Sequence, residues 1–188
     1  MKIERLIVGG VALLVGLLLG WMVRGVATYN IHAAQVAAYD DWRVACPAAE
    51  TKETACELST DIIDRTGPNP NPVARATITT DKDGKQVLGF TLPYGVALEA
   101  GMGLQFGTDP VKVYPYRTCN TIGCIAVTPF DQAMSTSLKS GKDTFLMFAG
   151  LDGKPVKMPI SLKGYDRSYG VWKSAEARRH AWFWRLWS

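Results

Sequence analysis

Residues 73–92 read VARATITTDKDGKQVLGFTL, and this stretch decides the fold class. Val73 to Thr79 is rich in β-branched residues, which favour strands, and Gln86 to Leu92 supplies a second strand. Asp83-Gly84 lies between them, and this pair is typical of the tight turn of a hairpin. The stretch therefore predicts two antiparallel strands joined by a short turn.

The segments on either side continue this pattern of short strands and turns. Gly67 to Pro72 has the sequence GPNPNP and is a loop, because proline at every second position excludes helix and central strand. Further strands are expected at Trp42 to Cys46, Ala55 to Ser59, Pro110 to Arg117, Thr144 to Ala149 and Val156 to Leu162. Short strands with regular turn signals predict a mainly β domain, built as a β-sandwich or a barrel.

One short helix is expected among these strands. Phe130, Met134 and Leu138 have helical spacing within the segment from Asp131 to Leu138, and Gly141 is placed to end the helix.

The amino-terminal segment predicts the compartment. Leu6 to Val23 is eighteen residues long, carries no charged side chain and follows Lys2 and Arg5. As a helix it would span about 27 Å, close to the roughly 30 Å hydrocarbon core of a bilayer. We therefore expect a transmembrane anchor over residues 1–24, with the amino terminus in the cytoplasm of a bacterium and the rest of the chain in the periplasm.

A cleaved signal peptide is the alternative, with a cleavage site at Val36-Ala37-Ala38. It is less favoured because the apolar run is longer than a usual signal core and lies about a dozen residues from that site. The alanine-rich residues 25–40 are expected to be a helical extension or stalk, and residues 41–165 the periplasmic β domain.

The charge distribution excludes one class of partner. The formal net charge is +4, but residues 31–164 carry 13 basic and 14 acidic side chains and are nearly neutral. Such a domain lacks the basic patch that marks nucleic-acid binding.

The four cysteines form two local pairs, Cys46 with Cys56 and Cys119 with Cys124. Four cysteines allow three pairings, and locality together with an oxidising compartment favours these two disulfides. Free buried thiols are the alternative, and the spacing is too wide for a typical zinc site.

The carboxyl-terminal residues 166–188 are rich in tryptophan and basic residues, and Ser174 could cap a helix running to Leu186. Such a tail would either pack on the domain's own core or contact lipid or a partner protein, and its composition favours the second. The expected contact residues are Trp172, Arg178, Arg179, Trp182, Phe183, Trp184, Arg185 and Trp187.

No catalytic or metal-binding set is evident. His32 and His180 lie outside the expected strands, and the segment from Asp81 to Gly84 lacks the later glutamate of a calcium loop. The sequence therefore predicts a protein that is not an enzyme and holds no cofactor or metal.

A series of short motifs resembles the invasion associated locus B family of exported, mainly alphaproteobacterial proteins. The motifs are Asp41-Trp42, Cys46, Cys56, Leu92 to Val96, Gly101, Gly103, Cys119, Gly123-Cys124 and Ser161 to Tyr165. The resemblance covers about two thirds of the chain and implies a disulfide-bonded β domain in the periplasm or cell envelope. The family is named for host-cell entry, and members are often secreted with a cleavable signal, whereas this chain is expected to keep its anchor and adds the tryptophan-rich tail.

Two functions are consistent with these features. The first is an accessory subunit that docks on and stabilises an inner-membrane complex, for example a respiratory or photosynthetic assembly. The second is an envelope or surface protein that takes part in host-cell contact and invasion.

Overall fold

The computed structural model describes residues 2–27, 34–48 and 55–180. Within these ranges the chain forms α1 (Lys2–Ala27), β1 (Gln35–Tyr39), β2 (Trp42–Cys46), β3 (Glu57–Asp64), β4 (Asn71–Thr80), β5 (Gln86–Leu92), β6 (Met102–Phe106), β7 (Lys112–Tyr114), β8 (Tyr116–Asn120), β9 (Gly123–Pro129), α2 (Gln132–Lys139), β10 (Thr144–Ala149), β11 (Pro155–Ile160) and α3 (Tyr165–His180).

The strands form two antiparallel sheets, so the prediction of a mainly β domain is confirmed. The larger sheet has the order β1-β2-β3-β4-β5-β9-β8, and the smaller has the order β11-β10-β6-β7. The hairpin predicted from residues 73–92 is β4 and β5, whose last pair is Thr80 with Gln86. Its turn is closed by the Asp81 carboxylate, which accepts hydrogen bonds from the backbone N–H groups of Asp83 (3.0 Å) and Lys85 (2.8 Å).

The core lies between the inner faces of the two sheets. Along β5 the side chains of Leu88, Phe90 and Leu92 are buried and alternate with half-exposed residues. Phe90 of the large sheet and Leu104 of the small sheet line the same narrow interior space. Burying each large apolar side chain contributes about 1.5–3 kcal/mol, so this alternation fixes which face of each strand points inward.

The segment predicted as a helical extension differs from the expectation in its described part. Helix α1 ends at Ala27, and Gln35–Tyr39 forms strand β1, which pairs with β2 from Gln35↔Cys46 to Tyr39↔Trp42. Alanine favours a helix in isolation, but backbone pairing with β2 outweighs that preference here. The β domain therefore includes residue 35 and does not begin at residue 41.

Helix α1 is 26 residues long. The large apolar side chains described between Ile7 and Val23 are 48% to 77% exposed. Among the described residues, no helix satisfies the combined requirement of length and hydropathy for a membrane span. The predicted transmembrane anchor is therefore not confirmed.

The two later helices begin at well-defined signals. The Asp131 carboxylate accepts a hydrogen bond from the Met134 N–H (2.7 Å) and caps α2, which confirms the predicted helix. Helix α3 begins at Tyr165, directly after Gly164, and not at Ser174 as predicted. Ser174 lies inside α3, where its hydroxyl donates to the Gly170 carbonyl (2.9 Å), so it is not a cap.

Candidate functional site

The two disulfides mark opposite ends of the large sheet. Cys46 bonds to Cys56 and Cys119 bonds to Cys124, so both predicted pairings are confirmed. Strand β5 connects the two ends. Near the start of β5, Thr79 of the neighbouring strand β4 donates its hydroxyl to the Cys56 carbonyl (3.1 Å). At the end of β5, Leu92 pairs with Cys124 of β9.

The end that carries Cys119–Cys124 is built from three loops that hold one another. The Tyr94 hydroxyl donates a hydrogen bond to the Asn120 carbonyl. The Leu151 N–H donates to the Gly95 carbonyl at 3.0 Å. These bonds join the loop after β5 to the β8–β9 turn and to the β10–β11 turn.

The β10–β11 turn is stabilised by Asp152. Its carboxylate accepts a hydrogen bond from the Lys154 N–H (3.1 Å) and pairs with the Lys154 ammonium (3.1 Å). Hydrogen bonding to the charged form holds the pKa of Asp152 below its ordinary value. The neighbouring residue in this turn, Leu151, is 80% exposed.

Exposed apolar side chains gather on these loops. Tyr94 is 62% exposed, Leu98 54%, Ile122 69% and Leu151 80%. We call these four residues the apolar tip. A single exposed apolar residue is common in any protein, but several on adjoining loops form a patch of the kind that marks a contact surface. Within residues 34–48 and 55–180, four of the seven exposed large apolar side chains belong to the apolar tip.

Helix α3 packs against strands β1, β2 and β3 through aromatic rings. Tyr165 lies edge-on to Trp42 with ring centroids 5.0 Å apart, and Tyr169 contacts both Tyr165 (5.7 Å) and Trp172 (5.6 Å). Burial raises the pKa of the Tyr165 phenol, because the ionised form would lose its hydration. The helix is thus part of the domain's hydrophobic core.

This packing corrects one predicted contact residue. Trp172 is wholly buried, and its indole N–H donates to the Cys56 carbonyl (2.9 Å), so it is not available to lipid or a partner. Arg178 and Arg179 lie on α3, where the Arg179 guanidinium donates to the Pro47 carbonyl (2.6 Å). The remaining predicted contact residues, Trp182, Phe183, Trp184, Arg185 and Trp187, fall outside the described residues.

Glu176 is a buried residue whose role sequence reasoning missed. Its side chain is 8% exposed and accepts a hydrogen bond from the Cys56 N–H. The sequence suggests only a favourable charge near a helix start. The available signal is its spacing, since a residue four positions after a buried tryptophan lies on the same face of a helix.

The apolar tip was also missed, because its members are far apart in the sequence and only the fold brings their loops together. As for metal chemistry, no three His, Cys, Asp or Glu side chains come together within residues 2–27, 34–48 and 55–180. The absence of an enzyme activity, cofactor and metal therefore stays a prediction.

Comparison with known proteins places the chain in a family. The family model described as "Invasion associated locus B (IalB) protein" matches residues 42–171, well over half of the chain. The crystal structure of invasion associated protein B from Bartonella henselae is similar, with a TM-score of 0.63 and 19% sequence identity. That match covers 76% of this chain and 99% of the other, and at this identity it speaks for the fold alone. No curated protein matches. The chain belongs to the invasion associated locus B family.

Proposed function

We propose that this protein is a non-catalytic binding domain of the bacterial cell envelope and that it contacts its partner through the apolar tip. The observation that carries the proposal is the exposure of Tyr94, Leu98, Ile122 and Leu151 on adjoining loops at one end of the domain. Two disulfides support a site of action outside the cytoplasm, because such bonds persist in oxidising compartments.

The position of the tip within the domain supports this role. Gln35, the first residue of β1 after α1, pairs with Cys46 and therefore lies at the other end of the large sheet. An attachment at the amino-terminal end would leave the apolar tip directed away from the point of attachment. A partner could then approach the tip without crossing the surface that holds the protein.

Two kinds of partner follow from the features above: a protein of the envelope surface or of a host cell, and an inner-membrane complex. The family membership favours the envelope surface or host cell. Because the family is described as invasion associated, we place contact with the envelope surface or with a host cell ahead of other roles. The second is docking on an inner-membrane complex, such as a respiratory or photosynthetic assembly, as an accessory subunit.

The apolar surface of helix α1 favours docking on an inner-membrane complex. The run from Leu6 to Val23 has no charged residue, and its described large apolar side chains are exposed. We propose that the exposed apolar side chains of this helix attach the domain to the inner membrane. An attached domain would meet proteins of the same membrane at a raised effective concentration.

Site-specific photo-crosslinking in living cells tests the proposal. A photoreactive amino acid is placed at Ile122 in the apolar tip or, as the control, at Lys82 in the exposed β4–β5 turn near the other end. We expect a discrete crosslinked species from position 122 and none from position 82. Equal crosslinking from both positions, or none from either, would contradict a contact through the tip.

The identity of the crosslinked protein then separates the two candidates. An outer-membrane, secreted or host-cell protein supports envelope or host contact. A subunit of an inner-membrane complex supports the accessory role. Fractionation of the same cells, with intact-mass measurement of the extracted protein, shows whether residues 1–24 remain attached.

A further inference from the structure

Three side chains of α3 hold the two ends of the loop that the Cys46–Cys56 disulfide closes. The Trp172 indole N–H donates to the Cys56 carbonyl (2.9 Å), and the Glu176 carboxylate accepts from the Cys56 N–H. The Arg179 guanidinium donates to the carbonyl of Pro47, the residue after Cys46 (2.6 Å). Residues 172, 176 and 179 are spaced four and three apart, so they share one face of the helix.

Cys56 therefore joins two parts of the domain. Its sulfur is bonded to Cys46, while its backbone N–H and C=O both bond to α3. The ladder between β2 and β3 ends at Ala45↔Glu57, so Cys56 lies just beyond the last paired residue of that ladder. The disulfide is a covalent link at Cys56, whose carbonyl also accepts a hydrogen bond from the Thr79 hydroxyl of β4 (3.1 Å).

The Cys46–Cys56 disulfide is buried beside these contacts. Cys46 is 7% exposed, and Cys56 and Trp172 are both 0% exposed. Cys119 of the other disulfide lies at the surface on edge strand β8. A dissolved thiol can therefore reach Cys119 directly, but reaches the buried Cys46–Cys56 bond only after a local opening of the domain.

We propose that the docking of α3 and the Cys46–Cys56 disulfide are thermodynamically linked. Helix α3 beyond Tyr169 stays docked only while this bond is closed, and the docked helix protects the bond from reduction. Linkage is reciprocal, so the closed bond favours docking of α3 by the same factor by which docking favours the closed bond. Reduction would release the carboxyl-terminal half of α3.

The chemical step requires a dithiol as reductant. A thiolate of the dithiol attacks one sulfur, the S–S bond breaks, and the other cysteine leaves as a thiolate; the second thiolate of the reductant then attacks its own sulfur in the mixed disulfide and displaces the remaining cysteine. The dithiol becomes a disulfide, and Cys46 and Cys56 each end as a thiol. Two electrons and two protons are transferred in total.

The first experiment compares the two disulfides in the full chain by hydrogen exchange with mass spectrometry. In the Cys46→Ser/Cys56→Ser variant we expect the amides of residues 172–179 to exchange about tenfold faster or more, because helix opening becomes easier. The Cys119→Ser/Cys124→Ser variant is the matched control and should leave exchange in these residues unchanged. Equal exchange of residues 172–179 in both variants would overturn the proposal.

A second experiment keeps both disulfides and decides the question if the serine variant does not fold. Trp172→Phe removes the indole donor and Glu176→Met removes the acceptor, while Lys173→Ala changes an exposed position of the same helix. Dithiothreitol is added, and thiols are trapped by alkylation and assigned by peptide mapping. We expect Cys46–Cys56 to be reduced about tenfold faster in the Trp172→Phe/Glu176→Met variant than in Lys173→Ala, from the loss of two buried hydrogen bonds. Identical reduction rates in the two variants would refute the linkage.

Discussion

At Gly123 the backbone has a φ of +135°, and an added Cβ would lie 2.2 Å from the Leu92 carbonyl oxygen. No side chain fits in that space without moving β5, so this one residue sets how closely the Cys119–Cys124 turn approaches the sheet. Gly84 has a φ of +76° but open space around it. The two glycines thus separate the effect of backbone conformation from the effect of close contact.

We therefore predict that Gly123→Ala destabilises the domain more than Gly84→Ala does. The strained backbone costs about 1–3 kcal/mol at either position, and the collision with the Leu92 carbonyl adds to this cost only at Gly123. Urea denaturation of both variants measures the difference in the free energy of unfolding. Equal destabilisation would show that the close approach at Gly123 has no energetic weight.

Tyr165 gives a prediction about pH. Burial raises its pKa in the folded protein above the value of about 10 expected in the unfolded chain. The folded protein then keeps a proton that the unfolded chain loses, so stability is present below the unfolded pKa and is lost as pH rises above it. The stability of the Tyr165→Phe variant should fall less steeply than that of the wild type between about pH 9 and 11, as measured by the midpoints of urea denaturation. A Tyr165→Phe variant with the same pH dependence as the wild type would show that the assignment to Tyr165 is wrong.

At the scale of elements, local patterns predicted those parts that local chemistry controls. The β4–β5 hairpin and α2 follow from a turn pair and a capping aspartate, and both are confirmed. Strand β1 was missed because its alanine-rich sequence is helix-forming, and only pairing with β2 makes it a strand. The start of α3 was missed because Gly170 interrupts its helical pattern, whereas the observed helix is held by core packing of Tyr165 and Trp172.

Helix α3 gives a prediction that reverses the sequence-based one. The composition of residues 166–188 favours contact with lipid or a partner, and on that interpretation truncation after Tyr169 would leave the domain folded. Because that truncation removes the buried Trp172 and Glu176, we now expect a loss of about 3–5 kcal/mol or more in the free energy of unfolding. Truncation after His180 should have a smaller effect. Thermal unfolding of both truncated proteins measures this difference, and equal unfolding midpoints would show that residues 170–180 do not stabilise the domain.

At the scale of the whole molecule, the two ends of the large sheet differ in structure. One end joins β1, the Cys46–Cys56 disulfide and α3, and the other carries the apolar tip beside Cys119–Cys124. The sequence predicted both disulfides from locality, but it could not predict the tip. Leu98, Ile122 and Leu151 lie in separate turns, and each alone is an ordinary exposed apolar residue.

The location outside the cytoplasm predicts the redox state of the native protein. Protein taken from its own cells, denatured and alkylated without reductant, should incorporate no label at any of its four cysteines. After reduction, all four should be labelled. Peptide mapping checks the pairs Cys46–Cys56 and Cys119–Cys124, and a labelled cysteine before reduction would place the protein in a reducing compartment.

Binding of the purified domain to isolated cell-envelope or host-cell fractions tests the central claim most directly. The variant Ile122→Ser/Leu151→Ser removes apolar side chains from the tip, and Lys82→Ser/Lys85→Ser changes exposed residues at the other end. Each apolar side chain that binding would bury contributes about 1.5–3 kcal/mol to the free energy of binding. We therefore predict that the tip variant binds the partner fraction at least tenfold more weakly than the wild type and that the control variant binds it equally well. Binding of the tip variant that equals the wild type, with both variants folded, would contradict a function exerted through this surface.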